Sequence, residues 1–175
     1  MVVALLAKGA DVSVKDKYGN TALKIVTKLK VQKEIIRLLM KAGAVDEEGR
    51  TALMFASKYG DFITVKNLLK EGVDINASDK QGNTALMFAV TLAKTDIVKA
   101  LLKAEVDVNV KNKKHNTALI IATWHGKINM VKFLLARGAD VNVKDKYGNT
   151  ALKIATVIRI NKEIARLLLK AGAVQ

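Results

Sequence analysis

Apolar residues recur along the chain at helical spacing, in short blocks separated by polar stretches that contain glycine. In one block Leu53, Phe55 and Ala56 open a first segment, and Ile63, Val65, Leu68 and Leu69 line a second. This spacing predicts two amphipathic helices, each with one buried face. Thr51 precedes the first segment at the N-cap position, where its hydroxyl can accept from a free backbone N–H of the first turn. Gly72 follows the second, with counterparts at Gly9, Gly43, Gly138 and Gly172. The left-handed C′ position favours a residue without Cβ, so glycine is expected to stop these helices. Proline cannot serve, because the chain contains none.

The blocks are copies of one unit. Thr-Ala-Leu occurs at 21–23, 51–53, 84–86, 117–119 and 150–152, at intervals of 30, 33, 33 and 33 residues. Five residues before each threonine stands Asp16, Asp46, Asp79, Asn112 or Asp145, and four of the five units have glycine two before it. In its period, its G-A-D-V-N segments (Gly138 to Asn142) and its D-x-x-G-x-T turns (Asp145 to Thr150), the unit resembles the ankyrin-repeat family. The resemblance covers essentially every residue. It implies an all-α fold, a solenoid of stacked helix-turn-helix units with protruding β-turn fingers. Residues 1–175 then form a single array, with a partial first repeat at 1–15 and repeats starting near 16, 46, 79, 112 and 145.

The departures from that pattern are systematic. Alanine replaces the motif's proline in all five repeats, and Lys24, Met54, Met87, Ile120 and Lys153 replace its histidine. Methionine or isoleucine there substitutes dispersion contacts between neighbouring repeats, and alanine at N1 keeps good helix propensity. Glu105 stands where other repeats carry glycine, so a left-handed backbone at that position is expected to be strained. Only two residues separate Gly43 from Asp46, against six between Gly72 and Asp79. With Glu47 and Glu48 at its tip, that shortened finger predicts a notch with an acidic floor in an otherwise basic row; a tolerated surface deletion is the alternative. Residues 10–45 and 139–174 are identical at 27 of 36 positions. Five of the nine differences are consecutive, Lys28 to Gln32 against Val157 to Asn161, in the turn between helices. Either retuned binding or drift of an exposed loop accounts for them.

Composition narrows the function. The chain lacks cysteine, which removes disulfides and thiolate metal sites and makes a cytoplasmic setting the expectation. No apolar run reaches the roughly 18–20 residues that span a bilayer, so no transmembrane segment is expected. Its two histidines, His115 in a finger and His125 in a turn, read as surface residues, and the nucleophile, phosphate-loop and zinc motifs are missing. The chain is therefore read as no enzyme, with no cofactor and no metal site. The net charge of +14 raises the alternative of a polyanion binder for nucleic acid or acidic lipid. Twenty-five of the thirty basic residues are lysine, whereas phosphate and base recognition favours arginine's planar fork. Yet Lys111, Lys113, Lys114, Lys144 and Lys146 cluster on two adjacent fingers, a patch suited to an acidic partner.

The resemblance implies a protein–protein interaction scaffold that binds on a concave face of finger tips and first helices. The finger positions are Lys17, Tyr18 and Asn20; Glu47, Glu48 and Arg50; Lys80, Gln81 and Asn83; Lys113, Lys114 and Asn116; Lys146, Tyr147 and Asn149. The ends of the first helices contribute Lys28 and Leu29, Lys58 and Tyr59, Thr91 and Leu92, Trp124 and His125, and Val157 and Ile158. Trp124, the single tryptophan, stands in line with Leu92, Tyr59 and Val157. An apolar stripe rimmed by lysines has the composition of a binding patch; the alternative is that Trp124 packs over its own repeat. The array opens on Met1 to Ala7 and closes on Leu167 to Leu169 without an added polar helix. Solenoids need polar terminal units for solubility, so these ends suggest end-to-end self-association or the targeting arm of a larger protein.

Overall fold

The computed structural model describes residues 9–23, 25, 38–39, 43–157 and 162–174. Among these, eight helices form four antiparallel pairs: α1 (Ala52–Tyr59) and α2 (Phe62–Lys70), α3 (Ala85–Thr91) and α4 (Thr95–Lys103), α5 (Ala118–Trp124) and α6 (Ile128–Leu135), α7 (Ala151–Val157) and α8 (Lys162–Lys170). The first helices α1, α3, α5 and α7 pack in succession as one layer, and α2, α4, α6 and α8 as another. Extended structure among the described residues consists of isolated bridges, such as Ser78 to Thr84 and Lys144 to Thr150, that close the fingers.

Each first helix begins as the sequence predicts. The hydroxyls of Thr51, Thr84 and Thr117 accept from the N–H of Met54, Met87 and Ile120 at 3.4 Å, and that of Thr150 from Lys153 at 3.2 Å. Each of these contacts satisfies a donor that the first turn leaves open. Gly9, Gly43, Gly72, Gly138 and Gly172 all take positive φ, and Glu105 is held there too, at φ 58°. Two more residues with Cβ share that conformation: Ala93 at φ 52°, ending α3 where Gly60 and Gly126 end α1 and α5, and His115 at φ 56°.

A continuous core runs between the layers. Met54, Met87 and Ile120, at the position of the motif's histidine, are almost fully buried, as are Ala85, Ala118 and Ala151 at the proline position. One expected core residue is misplaced by the apolar pattern: Ile63 is 73% exposed. Val65 and Leu68 take the buried positions of α2, while Ile63 points outward one residue after Phe62 opens the helix. Neighbouring units are also stitched by asparagine. The side-chain oxygens of Asn76, Asn109 and Asn142 accept from the backbone N–H of Asp107, Asp140 and Val174 at 2.9, 2.8 and 3.1 Å. The shortened limb at 43–46 has no residue at that position.

Candidate functional site

Every finger is folded around its first polar side chain. One oxygen of Asp79 accepts from the N–H of Gln81 and Asn83, both at 2.8 Å, and Asp16, Asp46 and Asp145 bind their turns in the same way. The amide oxygen of Asn112 does this for Lys114 and Asn116 at 2.9 and 3.0 Å. Burial works against the Asp145 carboxylate, but the N–H groups of Asn149 and Tyr147 and the Asn149 amide outweigh it and hold its pKa below the ordinary value.

The fingers stack on one another through backbone. The N–H of Lys80 donates to the Glu48 carbonyl at 2.7 Å, Lys113 to Gln81 at 2.9 Å and Lys146 to Lys114 at 3.0 Å. The four residues missing before Asp46 therefore shorten the limb, while the tip stays in register with the next finger. Its acidic character is also moderated from within. The Arg50 guanidinium bonds both Asp46 and Glu48 and lies 5.0 Å from the Phe55 ring centre. Burial raises the Asp46 pKa, and Arg50 with the turn N–H groups brings it below the ordinary carboxylate range.

Most candidate residues on the fingers stand in solvent: Lys17, Tyr18, Glu47, Glu48, Lys80, Gln81, Lys111, Lys113, Lys114, Lys144, Lys146 and Tyr147. Lys17 lies over Tyr18 at 5.0 Å and Lys146 over Tyr147 at 4.7 Å, so each pair offers an aromatic ring with a cation on it. The asparagines are occupied differently. Asn20, Asn83 and Asn149 donate to the aspartate of their own finger, and Asn83 also accepts from Asn112 at 2.9 Å. These three hold the fingers' shape.

Four apolar residues at the ends of the first helices are exposed. Tyr59 is 68% exposed, Leu92 47%, Trp124 42% and Val157 70%. Lys58 lies over the Tyr59 ring at 5.7 Å, and Tyr59 stacks on Phe55 with ring centres 5.9 Å apart. The Thr91 hydroxyl is turned back to the Met87 carbonyl at 2.8 Å. Lys28, Leu29 and Ile158 lie outside the described residues, as do the differing segment 28–32 and most of its counterpart.

One feature that spacing alone does not reveal is a pocket of about 360 Å³ at the foot of two fingers. Trp124, His125 and Ile121 of α5 form one side, Lys114 and Asn116 come from one finger, and Asp145 and Tyr147 from the next. Trp124 is 42% exposed and lines this recess. Among the described residues no group of three or more histidine, cysteine or acidic side chains is placed to hold a metal ion, and no helix is long and apolar enough to cross a membrane.

Family models of ankyrin repeats match residues 1–79 and 58–145, and a further one matches 126–169. The chain belongs to the ankyrin-repeat family. No curated protein gives a significant match. Ankyrin repeats generally mediate protein–protein interaction, and ankyrin-repeat proteins are typically non-catalytic scaffolds.

Proposed function

We propose that this ankyrin-repeat chain is a single array that holds a partner protein across its finger tips and first-helix ends, the concave face of the solenoid. The observation that carries this reading is the Trp124 pocket, where the indole and its neighbour His125 meet Lys114 and Tyr147 from two adjacent fingers. Buried aromatic contacts usually supply most of an interface's binding energy. Tyr59, Leu92 and Val157 are exposed apolar residues at the first-helix ends of other repeats, and lysines stand exposed on the fingers. A stacked, hydrogen-bonded framework presents these groups preorganised, which lowers the ordering cost of association. The positive row favours a partner with an acidic surface and speeds its encounter, while the aromatics set its dissociation. The absence of cysteine supports a cytoplasmic setting.

A second reading rests on Lys111, Lys113, Lys114, Lys144 and Lys146, all exposed on two adjacent fingers. They suit a polyanion, such as acidic lipid, better than a specific nucleic-acid site, because the chain is poor in arginine.

A capture experiment from cell lysate separates the two. The chain and its Trp124→Ala/Tyr59→Ala variant are compared at low and high salt. Discrete proteins retained at high salt and lost with the variant support the scaffold. Nucleic acid or lipid alone, released by salt and indifferent to the variant, supports the polyanion reading instead.

A further inference from the structure

The layer of second helices carries a groove of about 730 Å³ between α2 and α4, away from the fingers. Its apolar lining comes from Phe62 and Leu69 on α2 and from Ala100 on α4. The repeat itself explains why the groove lies here. Ala100 occupies the position that Phe133 fills on α6, 33 residues later. Phe133 packs against the core with Lys99 Nζ 5.2 Å from its ring centre, so an aromatic side chain occupies the next gap while a methyl group leaves this one open.

Both walls are basic. Lys66 and Lys70 on α2, and Lys99 and Lys103 on α4, are exposed and spaced i, i+4. Like charges at that spacing repel, so the two lysine rows cost helix stability, although Lys99 also lies over the Phe133 ring. Asp96, at the first turn of α4, is the acidic residue of the lining, which leaves four positive groups against one negative. Phe62 is 41% exposed at the same end, an aromatic ring beside open space.

We infer that this groove is a second docking site, independent of the finger face, for an acidic amphipathic helix of a partner protein. The occupant lays apolar residues spaced i, i+3, i+7 along Phe62, Leu69 and Ala100, and its glutamates or aspartates face the two lysine rows. α2 is nine residues long, so at about 1.5 Å per residue the groove takes a segment of about 14 Å, between two and three helical turns. Parallel helical walls with an apolar floor match a helix better than a bilayer, which would require apolar side chains standing proud of the lysines. The apolar lining here lies between the two helices.

The test uses a fluorescent synthetic peptide, helical and acidic, with leucines at the spacing above and glutamates flanking them, titrated against the full chain. Three variants accompany it, each checked for its thermal midpoint. Ala100→Phe installs the ring that α6 already carries at the equivalent position, and it is expected to keep the fold and weaken peptide binding at least about tenfold. Lys99→Glu/Lys103→Glu is expected to weaken binding similarly and to flatten its salt dependence. Trp124→Ala/Tyr59→Ala is expected to leave peptide affinity unchanged, which separates failure of this site from failure of the finger-face reading. Unaltered affinity of Ala100→Phe, equal binding of a peptide with its leucines scrambled, or vesicles rich in phosphatidylserine binding where the peptide does not, would each overturn the proposal.

Discussion

Gly82 and Asn112 belong to adjacent fingers, and a β-carbon built on Gly82 would stand 2.9 Å from the α-carbon of Asn112. The contact arises because the fingers stack backbone to backbone, with Lys113 donating to Gln81 directly beside it. Gly148 has nearly the same φ, 76° against 78°, but nothing within 4 Å of its added β-carbon. Gly148→Ala therefore carries only the left-handed strain, about 1–2 kcal/mol, whereas Gly82→Ala adds a backbone clash of about 1–3 kcal/mol. Urea denaturation of both variants is expected to place Gly82→Ala clearly below Gly148→Ala. Equal losses would show that the fingers do not touch.

Glu105 is exposed and held at φ 58°. Replacement by glycine relieves a conformation that residues with Cβ resist and gives back part of the gain through the entropy of the unfolded chain. Glu105→Gly is expected to stabilise by about 1 kcal/mol, or a rise of about 2–4 °C in thermal midpoint. Ala93→Gly should gain less at a similar φ of 52°, because the Ala93 methyl packs against the core. A lower midpoint for Glu105→Gly would mean that the turn is not strained as described.

Asp145 links stability to pH. Its folded pKa is depressed, so the folded state binds fewer protons than the unfolded chain, whose aspartates titrate near about 3.9. The stabilisation is present above that value and lost as pH falls through the folded pKa. Asn112 shows that an amide can hold the same turn. Asp145→Asn is therefore expected to fold, to be less stable than the parent at pH 7, and to converge with it in acid. Denaturation midpoints across pH check this; a gap that stays constant with pH would contradict it.

The sequence made much of this framework legible because its signals are local. Thr51, Thr84, Thr117 and Thr150 cap helices as read, and the glycines after the second helices take the left-handed conformation. Glu105 does so as well. Ile63 was misread because an apolar residue near a helix start can fall on either face, and only the register of Val65 and Leu68 decides which. What stayed hidden depends on relations between units. Arg50 moderates the acidic finger, Ala93 and His115 take a conformation usually left to glycine, and Ala100 opens a groove only in contrast with Phe133. Trp124 could be singled out in the sequence as the single tryptophan. The pocket beneath it could not, because Tyr147 and Asp145 reach it from the following finger.

Recognition through Trp124 is tested most directly by titration calorimetry of a captured partner against the parent chain and Trp124→Ala, with a thermal melt of each. The expected result is an affinity loss of about 30-fold, near 2 kcal/mol, with the melting midpoint unchanged. Unchanged affinity, or a loss that follows a fall in the midpoint, would contradict it and make Trp124 a packing residue.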